Sequence, residues 1–263
     1  MILAHDHVTT AGPDKPTLVF IHAFPMNRRM WDAQAEGLAR QANMVLLDSR
    51  GFGQSAAAGD AERQGWGVEL WASDVLETLD HLRVERAAFA GCSMGGYIIF
   101  ELLRRVPERV AGVALVDTRP EPDTPEAKQV RAGQIARVRE EGNGVMVDWA
   151  LEKLLCEGTH RARPDVVAKV RAIASSTPAE TLLGALAALA ERPDSRPVLG
   201  TIRVPATVIV GTHDVVTPPE ISQAMATAIP GAQLVEVPAA GHLTPMENPA
   251  AVNEALAVLL RAV

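Results

Sequence analysis

The sequence predicts an α/β fold: a mostly parallel central sheet flanked by helices, interrupted by a helical insertion. Two observations carry this. Short apolar runs of strand length alternate with helical stretches from Thr17 to about Thr118 and again from Thr201 onward, the pattern of a parallel sheet with helices on both faces. Between these two parts strand signals vanish, and apolar residues recur at helical spacing. Residues 1–118 and 201–263 are therefore expected to form one core, and residues 119–200 a helical cap over its site.

The elements follow in order. There is room for one strand before Thr17. The runs Leu18-Val19-Phe20-Ile21, Met44-Val45-Leu46-Leu47, Ala87-Ala88-Phe89-Ala90 and Val113-Ala114-Leu115-Val116 read as strands, and Tyr97 to Leu103 as a buried helix ended by Pro107. In the insertion, three sets follow helical spacing: Val147, Leu151, Leu154 and Leu155; Val166, Val170 and Ile173; and Leu182, Leu186 and Leu189. Pro164 and Pro178 separate them. The run Ala206 to Val210 is too continuously apolar for a strand with one wet face, which predicts a central parallel strand. Leu234-Val235-Glu236-Val237 is the next strand. Thr217-Pro218-Pro219-Glu220 reads as an N-capping box and Asn248-Pro249 as a second helix start. The last helix should bury Val252, Leu256, Leu259 and Leu260.

Gly91-Cys92-Ser93-Met94-Gly95 lies where a strand pattern stops and a helical one begins, the position of a nucleophile elbow. Such a turn holds its serine in a strained backbone conformation and leaves room only for very small neighbours, a need that Gly91, Gly95 and Gly96 meet. An acid and a base follow, each just after a strand-like run: Asp214 after Ala206 to Gly211, and His242 after Leu234 to Pro238, beside Gly241. A serine hydroxyl is a poor nucleophile at neutral pH without an adjacent base. In this reading Ser93 attacks a carbonyl, His242 takes its proton, and Asp214 holds the imidazole in the right tautomer. The backbone N–H of Met94 is the candidate donor to the resulting oxyanion.

The order Ser, Asp, His, each at the carboxyl end of a strand, resembles the α/β-hydrolases, and the likeness extends over nearly the whole chain. Thr17 to Pro25 resembles the family's strand followed by an oxyanion loop, with Ala23 where Gly is more usual. Asp48 to Ser55 resembles its D-x-R-G-x-G-x-S loop, and Gly211 to Pro218 and Gly241 to Pro249 its acid and histidine loops. The usual leading antiparallel strand pair is shortened here. The resemblance implies a second oxyanion donor, the N–H of Phe24, and a serine hydrolase acting through an acyl-enzyme on small to medium carboxylic esters or lactones, without a cofactor or metal. S-M-G-G paired with His22-Ala23-Phe24-Pro25 and a mid-chain helical insert is similar to the esterase and lactonase branch, which includes 3-oxoadipate enol-lactonases and cofactor-free haloperoxidases. Three alternatives stay open: a haloperoxidase or perhydrolase, whose relatives often carry Trp where this chain has Phe24; a carbon–carbon bond hydrolase; and a non-catalytic ligand-binding protein on the same scaffold. Dehalogenase and epoxide-hydrolase readings need an Asp at the elbow tip, and Ser93 excludes them.

Composition bounds the remainder. The chain has 263 residues, 48% of them hydrophobic, enough for one large core with a small accessory unit, and it has no apolar run of membrane-spanning length. With no signal-peptide pattern and only two cysteines, Cys92 and Cys156, a cytoplasmic location is expected. A net charge of -7 without a basic cluster argues against a nucleic-acid surface and disfavours anionic substrates mildly. A small-molecule ester or lactone is the expected partner, and a monomer and a homodimer both fit. His22 and Trp149 are candidate pocket residues, His22 also as an organiser of the oxyanion loop. Asp117 also ends a strand and is the alternative acid. Asp48 and Arg50 read as a structural pair. His5, His7, His81 and His160 show no metal-ligand spacing. Arg131, Arg137 and Arg139 are cations of the cap whose facing the periodicity leaves open.

Overall fold

The computed structural model describes residues 1–55 and 65–263. Its strands are β1 His5–Val8, β2 Thr17–Ile21, β3 Asn43–Leu47, β4 Ala87–Cys92, β5 Val110–Val116, β6 Ala206–Gly211 and β7 Gln233–Val237. They form one sheet in the order β1-β3-β2-β4-β5-β6-β7, with β1 antiparallel to β3 and all other pairs parallel. Every residue of β3, β4 and β6 is buried, as continuous apolar runs demand of central strands. β7, at the edge, leaves Gln233, Leu234 and Glu236 exposed.

Alternation along β2 assigns the two layers. Leu18 and Phe20 pack with Trp31, with Leu38 of α1 (Asp32–Leu38), and with the last helix. Val19 and Ile21 pack with Trp71 and Val75 of α2 (Val68–His81) and Ile98 of α3 (Met94–Arg105). Between β5 and β6 the chain is helical: α4 Pro125–Glu141, α5 Gly144–Leu154, α6 Glu157–Ala162, α7 Pro164–Ser175, α8 Ala179–Ala190 and α9 Arg196–Leu199. α5, α7 and α8 are the helices predicted from spacing; Pro164 opens α7 and Pro178 is the N-cap residue of α8. Leu182, Leu186 and Leu189 extend one apolar layer, while Val147, Leu151, Val166 and Val170 extend the other. Each such side chain removed from water contributes about 1.5–3 kcal/mol, so burial roots the insertion in both layers. α4 was not predicted: of its residues only Val138 is buried, so it carries no apolar stripe to read.

α10 (Pro219–Ala228), α11 (Thr244–Glu247) and α12 (Pro249–Leu260) complete the fold. α12 buries the four predicted residues, and Asn248 Oδ1 caps it by accepting from the Ala251 N–H. α10 corrects the sequence reading. Its N-cap residue is Pro218, with no side-chain cap bond, because the Thr217 hydroxyl is committed to Asp214 instead. Among the described residues, no single helix is long and apolar enough to cross a membrane.

The topology places the site. From β2 the chain moves to β3 on one side, then returns to β4 on the other, so the crossover direction switches between β2 and β4. Crevices in α/β sheets form at the carboxyl ends of strands at such a switch. His22, Ala23 and Phe24 leave β2 there, and Ser93 leaves β4.

Candidate active site

Ser93 stands between β4 and α3 with φ 51° and ψ -108°, a left-handed conformation for a residue that is not glycine. Such strain costs of order 1–3 kcal/mol and persists only where neighbours over-determine it. Here the Ser93 N–H donates to Val116 O at 2.9 Å, and its carbonyl accepts from Thr118 Oγ1 at 2.8 Å and the Gly96 N–H at 2.9 Å. Glycine is required by space on both sides: a Cβ on Gly95 would lie 2.3 Å from Ile21 O, and one on Gly91 2.5 Å from the Gly95 backbone.

His242 Nδ1 lies 2.7 Å from Asp214 Oδ2, with the two residues only 1% and 3% exposed. The same Oδ2 accepts from Thr217 Oγ1 at 2.6 Å, and Oδ1 accepts from the N–H groups of Val216 and Thr217 at 2.8 and 2.9 Å. Burial alone would raise the Asp214 pKa, but the His242 charge and the His242 and Thr217 hydrogen bonds outweigh it, so the carboxyl lies below its ordinary value. Burial likewise opposes charging of His242. The charge and hydrogen bond of Asp214, then the charge of Asp117, outweigh that effect and raise the ring above its ordinary value. With Nδ1 engaged, Nε2 is the nitrogen left to accept a proton. Among the described residues it has no hydrogen-bond partner.

The histidine loop is tied down twice. Glu247 Oε1 accepts from the N–H of Gly241 at 2.7 Å, while its Oε2 accepts from Cys156 N at 2.9 Å and Thr159 Oγ1 at 2.6 Å, joining the loop to the base of the insertion. The His242 N–H donates to Leu154 O at 2.9 Å. On its other side Thr244 bonds Asp117, so the alternative acid does not touch the imidazole. Asp214 is the carboxylate on the ring.

The remaining sequence candidates divide. Among the described residues neither the Phe24 N–H nor the Met94 N–H has a protein acceptor. Trp149 lines a cavity and lies beside Phe24, ring centroids 6.4 Å apart and the rings tilted by 54°. His22 lies behind the loop instead of on that cavity. It is fully buried, Nδ1 donates to Ala23 O at 2.9 Å, and Nε2 accepts from the Ser49 N–H at 2.9 Å, so the ring bridges the segments that follow β2 and β3. Asp48 and Arg50 do not pair with each other. Asp48 takes the Arg28 guanidinium and N–H, whereas Arg50 reaches Asp74 on α2 through two bonds of 2.8 and 2.6 Å. Cys92 is buried, and burial followed by the charges of Asp117 and Asp214 pushes its thiol up, away from thiolate chemistry. Among the described residues no group of three His, Cys, Asp or Glu is placed to hold a metal ion.

The cavity, of about 290 Å³, was not legible from sequence. Its wall includes Tyr97, one helical turn beyond Ser93, and Val216, whose N–H bonds Asp214. Arg119, Arg131 and Arg192 also line it, with Asp123 as the carboxylate between them. Arg131 and Arg192 both donate to Asp123, and the Arg192 guanidinium lies 4.5 Å over the Tyr97 ring. Arg119 donates to Val216 O at 2.6 Å and forms no ion pair among the described residues. The wall is thus net positive in a chain of net charge -7. Of the cap arginines singled out by sequence, Arg131 faces the cavity and Arg137 pairs with Glu141 on its own helix.

Known proteins agree with this architecture. A family model described as alpha/beta hydrolase fold matches residues 16–249. The chain is 30% identical over 259 residues to 3-oxoadipate enol-lactonase 2 of Acinetobacter baylyi, covering 98% of this chain and 94% of that protein. It is also 30% identical to BpoC of Mycobacterium tuberculosis, provisionally named a non-heme bromoperoxidase, over 97% of this chain and 95% of that one. A solved thermophilic esterase from Thermogutta terrifontis, with malate bound, superposes with a TM-score of 0.92 at 39% identity, covering 98% of this chain and 93% of that one. With a serine on a left-handed elbow at the topological switch and a match across almost its full length, this chain belongs to the α/β-hydrolase fold family.

Proposed function

We propose that this hydrolase cleaves carboxylic esters or lactones through an acyl-enzyme on Ser93. The observation that carries the reading is the buried Asp214–His242 hydrogen bond, 2.7 Å long, with Cys92 Sγ, one residue before the serine held in a strained turn, 3.8 Å from His242 O. In this mechanism His242 Nε2 takes the Ser93 hydroxyl proton as Oγ bonds to the substrate carbonyl carbon. The N–H groups of Phe24 and Met94 receive the negative charge moving onto the carbonyl oxygen. Collapse breaks the bond to the leaving alkoxide, which takes the proton from His242. Water, deprotonated by the same ring, then releases the acid and frees Ser93. Asp214 stays ionised throughout and favours the transient imidazolium.

The positive cavity wall adds the substrate's character. Arg119, with Arg131 and Arg192 sharing Asp123, suits an ester or lactone that carries a carboxylate away from the scissile bond. The enol-lactonase relative and the malate in the Thermogutta terrifontis esterase support this choice. Residues 119–200 act in this reading as the cap that supplies the cations.

The test compares monomethyl adipate with methyl hexanoate by proton release, in wild type, Ser93→Ala and Arg119→Gln. Turnover that vanishes in Ser93→Ala, with a burst of alcohol release in the wild type, establishes the acyl-enzyme. The adipate half-ester should be preferred, and Arg119→Gln should lower the ratio of its kcat/KM to that of the neutral ester by roughly tenfold to a hundredfold, as for one lost charge-assisted bond. Ester turnover that survives in Ser93→Ala refutes the mechanism. Bromide oxidation in acetate and peroxide that outpaces ester hydrolysis would favour the peroxidase reading, which the BpoC relationship keeps in view.

A further inference from the structure

The mechanism leaves one fully buried carboxylate unused. Asp117 follows β5 with φ 45°, left-handed like Ser93 though not glycine, at the end of the strand next to the one that leads into Ser93. Its N–H continues the sheet by donating to Ile209 O at 2.8 Å, and the turn sends the side chain across the ends of the strands. Oδ1 accepts from the Gly211 N–H at 3.1 Å, where the loop carrying Asp214 begins. Oδ2 accepts from the Thr244 N–H at 3.0 Å and hydroxyl at 2.8 Å, where the loop carrying His242 ends. Cys92 Sγ, beside Ser93, lies 3.9 Å from the same oxygen and 3.8 Å from His242 O. One carboxylate therefore touches a residue within three positions of each proposed catalytic group.

These bonds need an acceptor at both oxygens, which an ionised carboxylate supplies. A buried carboxylate is costly without a cation, and among the described residues no lysine or arginine pairs with Asp117. Burial first, and then the charge of Asp214, push its pKa up to about 7, against the opposing effects of His242 and the Thr244 bonds. The charged groups acting around it are Asp214 on the acid loop and His242 on the base loop, with Arg119, two residues along, acting on the ring. A carboxylate repelled by its neighbour fits this place if a positive charge arises there in the reaction, and the imidazolium of His242 is that charge.

We propose that Asp117 is a positioning residue of the hydrolytic site: it ties the acid loop to the base loop and places a second negative charge behind His242 that favours the imidazolium formed when Ser93 loses its proton. This rests on the acyl-enzyme reading for its role in catalysis. Its electrostatic part is testable without turnover.

The experiment follows the His242 ring by NMR across pH in Ser93→Ala, with and without Asp117→Asn, and in parallel records kcat and KM across pH for a p-nitrophenyl ester in the proteins that keep Ser93. Asp117→Asn should lower the His242 titration, and the acid limb of kcat/KM with it, by about one pH unit. It should also lower kcat about tenfold to a hundredfold at pH 8, since Asn puts an N–H among donors and loosens both loops, with KM little changed. A purely structural role would reduce activity alike at every pH and leave the ring titration in place, which would overturn the proposal. If Ser93-dependent hydrolysis is absent, the proposed function fails while the ring titration still decides the role of Asp117. Should Asp117→Asn not fold, the assigned Asp117 carboxyl carbon in the unsubstituted protein must show an inflection at the pH where His242 titrates. Its absence overturns the proposal.

Discussion

Gly95→Ala is the sharpest test of how the elbow is built. An ideal Cβ at this position meets Ile21 O at 2.3 Å and Ile21 C at 2.8 Å, both backbone atoms of β2. Gly95 has no left-handed φ, so the penalty is one of space. Contacts of Cβ essentially never fall below 3.0 Å, so α3 and β2 must part by at least 0.7 Å. Neither can yield by rotating a side chain. Overpacking of this kind costs about 1–3 kcal/mol, which for a chain of this size lowers Tm by roughly 2–5 °C. The displacement also moves the end of β2, and with it Phe24, relative to Ser93 and Met94. A misplacement approaching 1 Å is expected to reduce kcat by about a hundredfold. Thermal melting by circular dichroism and ester hydrolysis measure the two effects on one preparation. Gly133→Ala serves as the control: its Cβ meets nothing within 4 Å on exposed helix α4, so it should raise stability by about 0.5–1 kcal/mol through helix propensity. Gly95→Ala with wild-type Tm and kcat would refute the argument from close approach.

Other outcomes follow from the same geometry. The acid limb of kcat/KM should lie above the ordinary histidine value of about 6.5, since the His242 ring is raised and must be neutral to act as base; a limb below 6 contradicts this. Stability carries a related signature: the depressed Asp214 contributes above its unfolded value of about 3.9, losing that as pH falls through its folded value, and the raised His242 contributes below about 6.5, losing that as pH rises through its folded value. Denaturant unfolding of wild type and His242→Gln should therefore differ most between roughly pH 4 and 6.5. Thr217→Val removes the hydroxyl from Asp214 Oδ2 and should cost about 1.5–3 kcal/mol with reduced kcat, whereas a helix-capping role would leave kcat unchanged. Ser93→Gly should be more stable than Ser93→Ala by about 1 kcal/mol or more, because only glycine relieves φ 51°, and equal melting temperatures would refute strain at the elbow.

The fold was legible because its central strands are unambiguous. β4 and β6 are buried on both faces, and that demand writes an unbroken apolar run into the sequence. Ser93 and Asp214 could be located because each follows such a run, and His242 because it follows the shorter strand pattern Leu234 to Val237 of the edge strand; the topology then brings Asp214 and His242 together. What escaped notice lacks a period. Helix α4 is polar nearly all round, so nothing in its spacing announces it, although Arg131 lies on it. Arg119, Arg192 and Tyr97 meet only through the packing of the insertion on α3, a long-range arrangement without a local signature. Thr217 shows local chemistry giving way to the site. Its spacing to Glu220 is that of a capping box, but a hydroxyl buried beside an ionised carboxylate is worth more there than at a helix end where Pro219 already lacks one of the two N–H groups a cap could serve.

Charge at the site follows a pattern that the whole-chain value conceals. Asp214 and Asp117 act on the imidazole from the strand ends, while Arg119, Arg131 and Arg192 line the cavity with Asp123 as the one carboxylate there among the described residues. An imidazolium is favoured by the first group, and an anionic substrate by the second. Arg119 connects the two, since its charge opposes protonation of His242. A carboxylate drawn to Arg119 would weaken that opposition, so substrate binding would raise the basicity of His242 as the ester reaches Ser93. A neutral ester leaves the opposition in place. The contrast between charged and neutral esters should therefore appear in the pH dependence of kcat as well as in KM, with the acid limb of kcat at higher pH for the anionic ester; identical limbs for both would place Arg119 in binding alone.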